Sequence, residues 1–470
     1  MTKKSLGFYI LLLLTLIFFL FKESNAQTFD TAYARKLQNA VNTLRVNNNI
    51  VGMSAAVYVP GQGTWTGTSG ITEVGVNLTP DMVFAIGSVT KNFVSALILQ
   101  LMEEGSLNIT DSLHKFLPRY TNIDSSITIR QLLNHRSGIY NFTDNGSYLS
   151  SINSNMGRFW EPEESLQYVL APYFAPGTNW RYSNTNYLLL ALIVQKITGH
   201  HIFDEFHSRF FTPLNMTGSF VELNDTLTAP WVHNWVDLNG DGVLDDASSI
   251  PQTAFASSTI GAGGIISRPE NLLIWLKNLY KPGRILTQSS LDLMTTFVTA
   301  NISGANGYGL GTMRYNVGGK TCWGHAGNSF GHSTIAMTYA PDTVCISIMM
   351  NIDINTGSVA TSFMNTVLSN RPVSVQNIST ETPAGYKIYQ NYPNPFNPET
   401  NIKFDIAAKS DVKITIYNSL GKEVQNLFSG NLLAGSYSYK WNAANFPSGV
   451  YFYKLQTENF SEVRKMSLVK

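Results

Sequence analysis

The sequence predicts an α+β domain followed by a small all-β sandwich. Three observations predict it: strand patterns recur near both ends of the region up to about residue 370, helical patterns fill the stretch between them, and beyond a polar linker only short alternating strands remain. A chain of 470 residues is long for one core and suits two domains. With 44% hydrophobic and 13% charged residues it has the composition of a globular protein with a sizeable core. The formal net charge of +1 and the lack of a Lys/Arg-rich run leave no footprint for a phosphate backbone, so nucleic acid is not an expected partner.

The N-terminus carries Lys3 and Lys4, an apolar run from Leu6 to Phe21, and Ser24-Asn25-Ala26 before Gln27. That layout predicts a secretory signal peptide over residues 1–26, with an uncleaved anchor as the alternative, although the apolar run is short for a spanning helix. The only cysteines are Cys322 and Cys345, so no disulfide framework staples the fold. They fall on predicted strands separated by a third, and second-neighbour strands lie about 9–10 Å apart, beyond disulfide reach. Two free thiols are expected.

Along the first domain, residues 27–370, Phe29, Tyr33, Leu37, Val41 and Leu44 recur at helical spacing. Residues 51–60 and 64–70 are rich in β-formers and flank Gly61-Gln62-Gly63, a hairpin pattern. From Ser88 to Met102 the chain is apolar nearly all round and is closed by Gly105, which predicts a central, buried helix. Residues 106–300 read as a helical insertion that includes a helix over 187–198 stopped by Gly199. Strand patterns return at 320–323, 333–339 and 344–351, and a last helix is predicted from about 356 to 368. The expected architecture is an antiparallel sheet flanked by N- and C-terminal helices, packed against a helical subdomain with the cleft between them. Residues 371–385 read as a linker, and 386–470 as a β-sandwich with strands near 401–406, 412–417, 423–428, 436–441, 450–456 and 462–468.

A serine hydroxyl needs a base to become a nucleophile, and a lysine serves if burial keeps it neutral. Ser88-Val89-Thr90-Lys91 supplies both groups one helical turn apart, with the serine at the positive end of the helix dipole. The spacing by itself is weak, since S-x-x-K recurs at Ser112, Ser410, Ser419 and Ser467. Ser88 differs because it opens the long buried helix, where a lysine is costly to bury without a purpose.

Tyr182-Ser183-Asn184 lies between a Pro176-Gly177 turn and the 187–198 helix. A tyrosine there can relay a proton between Ser88, Lys91 and the leaving group, and the Asn184 amide can hold the lysine or a substrate carbonyl. His325-Ala326-Gly327 follows the predicted 320–323 strand. Its glycine lets a substrate approach the strand edge, and the Asn328 N–H can join that of Ser88 as an oxyanion hole.

Ser88-x-x-Lys91, Tyr182-x-Asn184 and His325-x-Gly327, in this order, resemble the three active-site motifs of serine penicillin-binding proteins and class C β-lactamases. Leu133-Asn134-His135-Arg136-Ser137-Gly138, Thr212-Pro213-Leu214 and Gly307-Tyr308-Gly309-Leu310-Gly311 look like the D-alanyl-D-alanine carboxypeptidase branch. The resemblance spans residues 30–370 and implies acyl-enzyme chemistry on Ser88 with no cofactor. Two departures concern the substrate carboxylate: Ala326 stands where that branch has threonine, and Met313 where it has arginine, with Arg314 one residue along. The expected enzyme is a D-alanyl-D-alanine carboxypeptidase-like hydrolase, with esterase, β-lactamase and a silent penicillin-binding surface module as alternatives. Its substrate would be a small peptide or ester, a peptidoglycan stem peptide among them, and the protein is expected to be a monomer.

Asp237, Asn239, Asp241 and Asp245 alternate around Gly242, the spacing of a Ca²⁺ loop, although Ser248 replaces the bidentate Glu. A structural calcium site and a solvated turn are both open readings. The tail, from Tyr392-Pro393-Asn394-Pro395 through Gly449-Val450-Tyr451, resembles the sorting domain of type IX secretion cargo. That implies transit through the periplasm, the type IX machinery as a partner, and a secreted or cell-surface protein.

Overall fold

A computed structural model describes residues 29–371, 376–444 and 446–470, so the predicted signal peptide, residues 1–26, lies outside the described residues. No helix among the described residues is long and apolar enough to cross a membrane.

Helix α1 (Thr31–Asn47) starts where the Asp30 side chain accepts the Tyr33 N–H, and it buries Tyr33, Leu37 and Val41 along one seam. The predicted hairpin follows as β1 (Gly52–Val59) and β2 (Gly63–Glu73), with a short β3 (Val76–Asn77) at the edge. The remaining strands of the sheet come from far along the chain: β4 (Val298–Ile302), β5 (Ala305–Tyr308), β6 (Met313–Val317), β7 (Lys320–Ser329), β8 (His332–Tyr339) and β9 (Val344–Met350). They form one antiparallel sheet of nine strands in the order β3-β2-β1-β9-β8-β7-β6-β5-β4, closed between the two ends of the domain where Ala55 pairs with Ile348.

Strand alternation assigns the two faces. Ala55, Val57, Ile346 and Ile348 point to a core shared with α1 and with helix α5 (Thr356–Asn370), which contributes Phe363 and Val367. Ala56, Cys345 and Met349 point the other way, to a larger core with helices α2 (Thr90–Glu103), α3 (Asn184–Thr198) and α4 (Pro269–Leu279). There Phe93 of α2 stacks on Trp275 of α4 with ring centroids 3.8 Å apart. Cys322 belongs to the first core and Cys345 to the second, so the two free thiols face opposite sides of the sheet.

Three boundaries differ from the sequence reading. The central helix begins at Thr90, and Ser88 sits in the 3₁₀ turn Gly87–Val89 that leads into it, because Gly87 takes a left-handed φ of 50°. Helix α3 begins at Asn184 rather than at 187, which puts Asn184 on the helix and leaves Tyr182 in the preceding loop. Strand β7 runs on to Ser329, so His325 and Gly327 lie inside a strand rather than beyond its end.

The tail forms two four-stranded sheets around Ile402, Phe404, Ile414, Tyr439, Trp441 and Tyr453, and all six strands read from alternation are present. Part of the span read as linker is structured: Gln376–Ser379 pairs with the strand Gly435–Asn442. Its pairing is a backbone matter, and a single apolar residue, Ile378, among polar neighbours gave no periodic signal.

Candidate active site

A small three-stranded sheet builds the site. Phe84–Ala85 and Phe220–Val221 both pair antiparallel with Ile265–Ser267, and Ile86 donates its N–H to the Ile265 carbonyl at 3.0 Å. The two outer strands therefore run in the same direction and deliver Ser88 and Glu222 to one end, where Ala262, Gly263 and Gly264 enter the middle strand.

Lys91 is fully buried, and its Nζ donates to Ser88 Oγ at 2.9 Å and to the Ala262 carbonyl at 2.8 Å. Burial holds its pKa well below the usual lysine range, and among the described residues no carboxylate bonds to the amine to oppose that. The Nζ also lies 4.9 Å from the centre of the Tyr182 ring. Burial pushes the Tyr182 pKa up, and the Ser88 side chain hydrogen-bonded to it pulls the other way. Ser88, Lys91 and Tyr182 thus meet as the sequence predicts.

His135 backs the tyrosine, with ring centroids 4.3 Å apart. It adopts φ 59°, and its Nδ1 accepts the Ser183 N–H at 3.2 Å, which fixes the loop that carries Tyr182. His325 is buried and its Nε2 is 2.9 Å from the Tyr308 hydroxyl, while burial followed by the nearby Lys91 lowers its pKa to about 3. A neutral imidazole there adds no positive charge to the cleft.

Two glycines let β7 and the Ser88 turn touch. A Cβ on Gly327 would stand 2.8 Å from the Ser88 nitrogen, and one on Gly87 would stand 2.8 Å from the Asn328 nitrogen. The Ser88 and Asn328 backbones line one narrow cleft together with Asn184, Glu222 and Gly264. Asn184 does not hold Lys91: its Nδ2 donates to Thr143 Oγ1 at 3.0 Å, and its Oδ1 is buried without a partner. The helix start at residue 184 turns that amide toward the 141–143 segment, where the Asn184 N–H also binds Asn141.

The calcium-loop residues lie elsewhere and spend their oxygens on the backbone. Asp237 Oδ2 accepts the Gly242 N–H, Asp241 Oδ1 accepts that of Val243, and Asp245 Oδ2 that of Leu238. Among the described residues no three acidic, histidine or cysteine side chains gather as a metal cage, and Asp237, Asp241 and Asp245 cap their own turn, with Asn239 Oδ1 accepting the Asp241 N–H.

The Beta-lactamase family profile matches residues 33–370. The chain belongs to the beta-lactamase family. A second profile, the secretion system C-terminal sorting domain, matches residues 390–469, so this beta-lactamase family member also carries the export signal of a secretion machinery. Penicillin-binding protein 4 of Amycolatopsis lactamdurans is 27% identical over 355 residues, covering 71% of this chain and 87% of that protein. Penicillin-binding protein 4* of Bacillus subtilis is 26% identical, covering 56% of this chain and 59% of its own length. The teichoic acid D-alanine hydrolase of Staphylococcus aureus is 26% identical over 179 residues, covering 37% of this chain and 42% of that protein. Among solved structures, a D-stereospecific amidohydrolase from Streptomyces sp. superimposes with a TM-score of 0.61 at 29% identity, over 68% of this chain and 94% of that one. The D-amino acid amidase of Ochrobactrum anthropi shares the fold with a TM-score of 0.65 at 23% identity, over 72% of this chain and 99% of that one.

Sequence reasoning missed the Ala262 carbonyl, Gly87 and Glu222. The run Gly261-Ala262-Gly263-Gly264 before a short strand was the available signal, since such a run marks close backbone approach. Glu222 carried no local signal.

Proposed function

We propose that this protein is an exported serine hydrolase that forms an acyl-enzyme on Ser88 and acts on amide or ester carbonyls of D-alanyl-type substrates. The observation that carries the reading is the buried amine of Lys91, held 2.9 Å from the Ser88 hydroxyl with no carboxylate partner among the described residues. In that role Ser88 Oγ attacks the carbonyl carbon and its proton passes to Lys91. The Ser88 and Asn328 N–H groups stabilise the oxyanion, and Tyr182 relays the proton to the leaving nitrogen or oxygen. Water then attacks the ester, and the same groups return the proton to Ser88. No metal or cofactor enters these steps.

The D-stereospecific amidohydrolase and the teichoic acid D-alanine hydrolase support D-configured substrates. The sorting domain supports passage through the type IX machinery, with a secreted or surface-held product after the leader is removed. A fluorophosphonate probe tests the reading. Covalent labelling of the wild type that disappears in Ser88→Ala is expected, and an unlabelled wild type that cleaves none of a panel of D-alanyl amides, esters and a cephalosporin overturns it.

A further inference from the structure

Glu222 is the acidic side chain lining the Ser88 cleft, and nothing among the described residues pairs with it. Its N–H donates to the Gly264 carbonyl at 2.8 Å, which anchors the residue beside the segment that holds Lys91 through Ala262. Its carboxylate has no hydrogen bond and no ion pair among the described residues, and burial pushes its pKa up to about 7. The cleft wall offers a second unsatisfied acceptor, Asn184 Oδ1.

No positive side chain stands among the described residues that line the cleft. Lys91 lies under the floor with its amine spent on Ser88 and Ala262. Met313 is buried in the opposite core, and Arg314 turns to Asn306, bonding its Oδ1 at 2.9 Å. Ala326 brings no hydroxyl. A cleft lined by an unpaired carboxyl and an unpaired amide oxygen, with no cationic side chain among its lining residues, disfavours a substrate carboxylate and favours a group with several N–H donors and a positive charge.

We infer that Glu222 is a specificity-determining residue that receives a free ammonium group next to the scissile carbonyl, so that the substrates are amino-acyl amides or esters with an unblocked amine rather than peptides recognised by a C-terminal carboxylate. The inference rests on the proposed acyl-enzyme chemistry of Ser88. The ammonium donates to the Glu222 carboxylate, and its arrival turns an unpaired, partly buried carboxyl into half of an ion pair. An acetylated amine has one donor and no charge, and it leaves Glu222 unpaired.

The test compares D-alanine p-nitroanilide, its N-acetyl derivative and a diacetylated Lys-D-Ala-D-Ala peptide on the full mature chain. Wild type is expected to prefer the free amine to the acetylated compound by about tenfold or more in kcat/KM. Glu222→Gln should collapse that ratio through KM, and Glu222→Asp, which keeps the charge, should recover part of it. Without any variant, D-alaninamide should slow fluorophosphonate labelling of the wild type while N-acetyl-D-alaninamide does not. Equal use of both anilides, an unchanged ratio in Glu222→Gln, or a preference for the carboxylate-terminated peptide overturns the inference while labelling of Ser88 leaves the hydrolase reading standing. A wild type that is not labelled removes both.

Discussion

Gly327 of β7 and the Ser88 turn are in backbone contact: a Cβ at 327 would sit 2.8 Å from the Ser88 nitrogen and 2.0 Å from the Ile86 carbonyl oxygen. Gly327→Ala must push the strand and the turn apart, which separates the Ser88 and Asn328 N–H groups. The kcat/KM of the proposed hydrolysis should fall by about 10²- to 10³-fold, the size of losing one oxyanion donor, with the circular dichroism spectrum preserved. Wild-type rates in this variant would refute an oxyanion role for the pair.

Lys91→Met keeps the volume of the buried stem and removes the amine. Activity should drop by about 10²- to 10⁴-fold, the range for losing a positioned base, since Lys91 carries the amine bonded to Ser88. Stability should behave differently. The native amine stays neutral well below the lysine range while the unfolded one holds its proton up to about pH 10.5, so unfolding takes up a proton and stability rises with pH across that window. Lys91→Met lacks this dependence, so urea unfolding should show wild type losing ground to the variant as pH falls. Parallel curves would show that Lys91 is charged in the native state.

His332 receives the Ala85 N–H on Nδ1 at 3.2 Å and donates from Nε2 to the Val232 carbonyl at 3.1 Å, and burial lowers its pKa to about 3. Unfolded histidine takes a proton near pH 6.5, so between there and about 3 the unfolded state binds more protons and stability falls as pH drops. One such group costs up to about 1.4 kcal/mol per pH unit. His135 and His325 act in the same direction, and Glu222, raised to about 7, in the opposite one. His332→Gln should flatten the slope of unfolding free energy against pH in this range by about one proton. An unaltered slope would mean that the imidazole is already charged when folded.

Cys322 and Cys345 are buried on opposite faces of the sheet, and burial pushes each thiol up to about 12. Neither should react with a disulfide reagent at neutral pH until the domain unfolds, and a reductant should not move the melting temperature. Rapid labelling of the folded protein would contradict their packing.

Local chemistry is what could be read in advance. The Ser88–Lys91 spacing, the apolar helix behind it and the alternating strands of both domains follow from periodicities of a few residues, and they survive into the structure with shifts at their ends. Those shifts have particular causes. The left-handed turn at Gly87 delays α2, and the edge strand at 376–379 carries no apolar pattern. Of the two roles read for Asn184, holding Lys91 or holding a substrate carbonyl, the first fails because the start of α3 turns its amide nitrogen to Thr143.

The sequence by itself placed Ser88 beside Lys91, because a long apolar helix predicted to start there brings side chains three residues apart onto one face. It also determined the sheet-forming segments and the sorting tail. Only the tertiary structure decided that the carbonyl of Ala262 grips the amine, that Asn328 comes up against Gly87, and that the Glu222 carboxyl shares the cleft with Ser88. Each of those contacts joins segments more than a hundred residues apart, and strand pairing and close packing set them, not any short-range pattern in the chain.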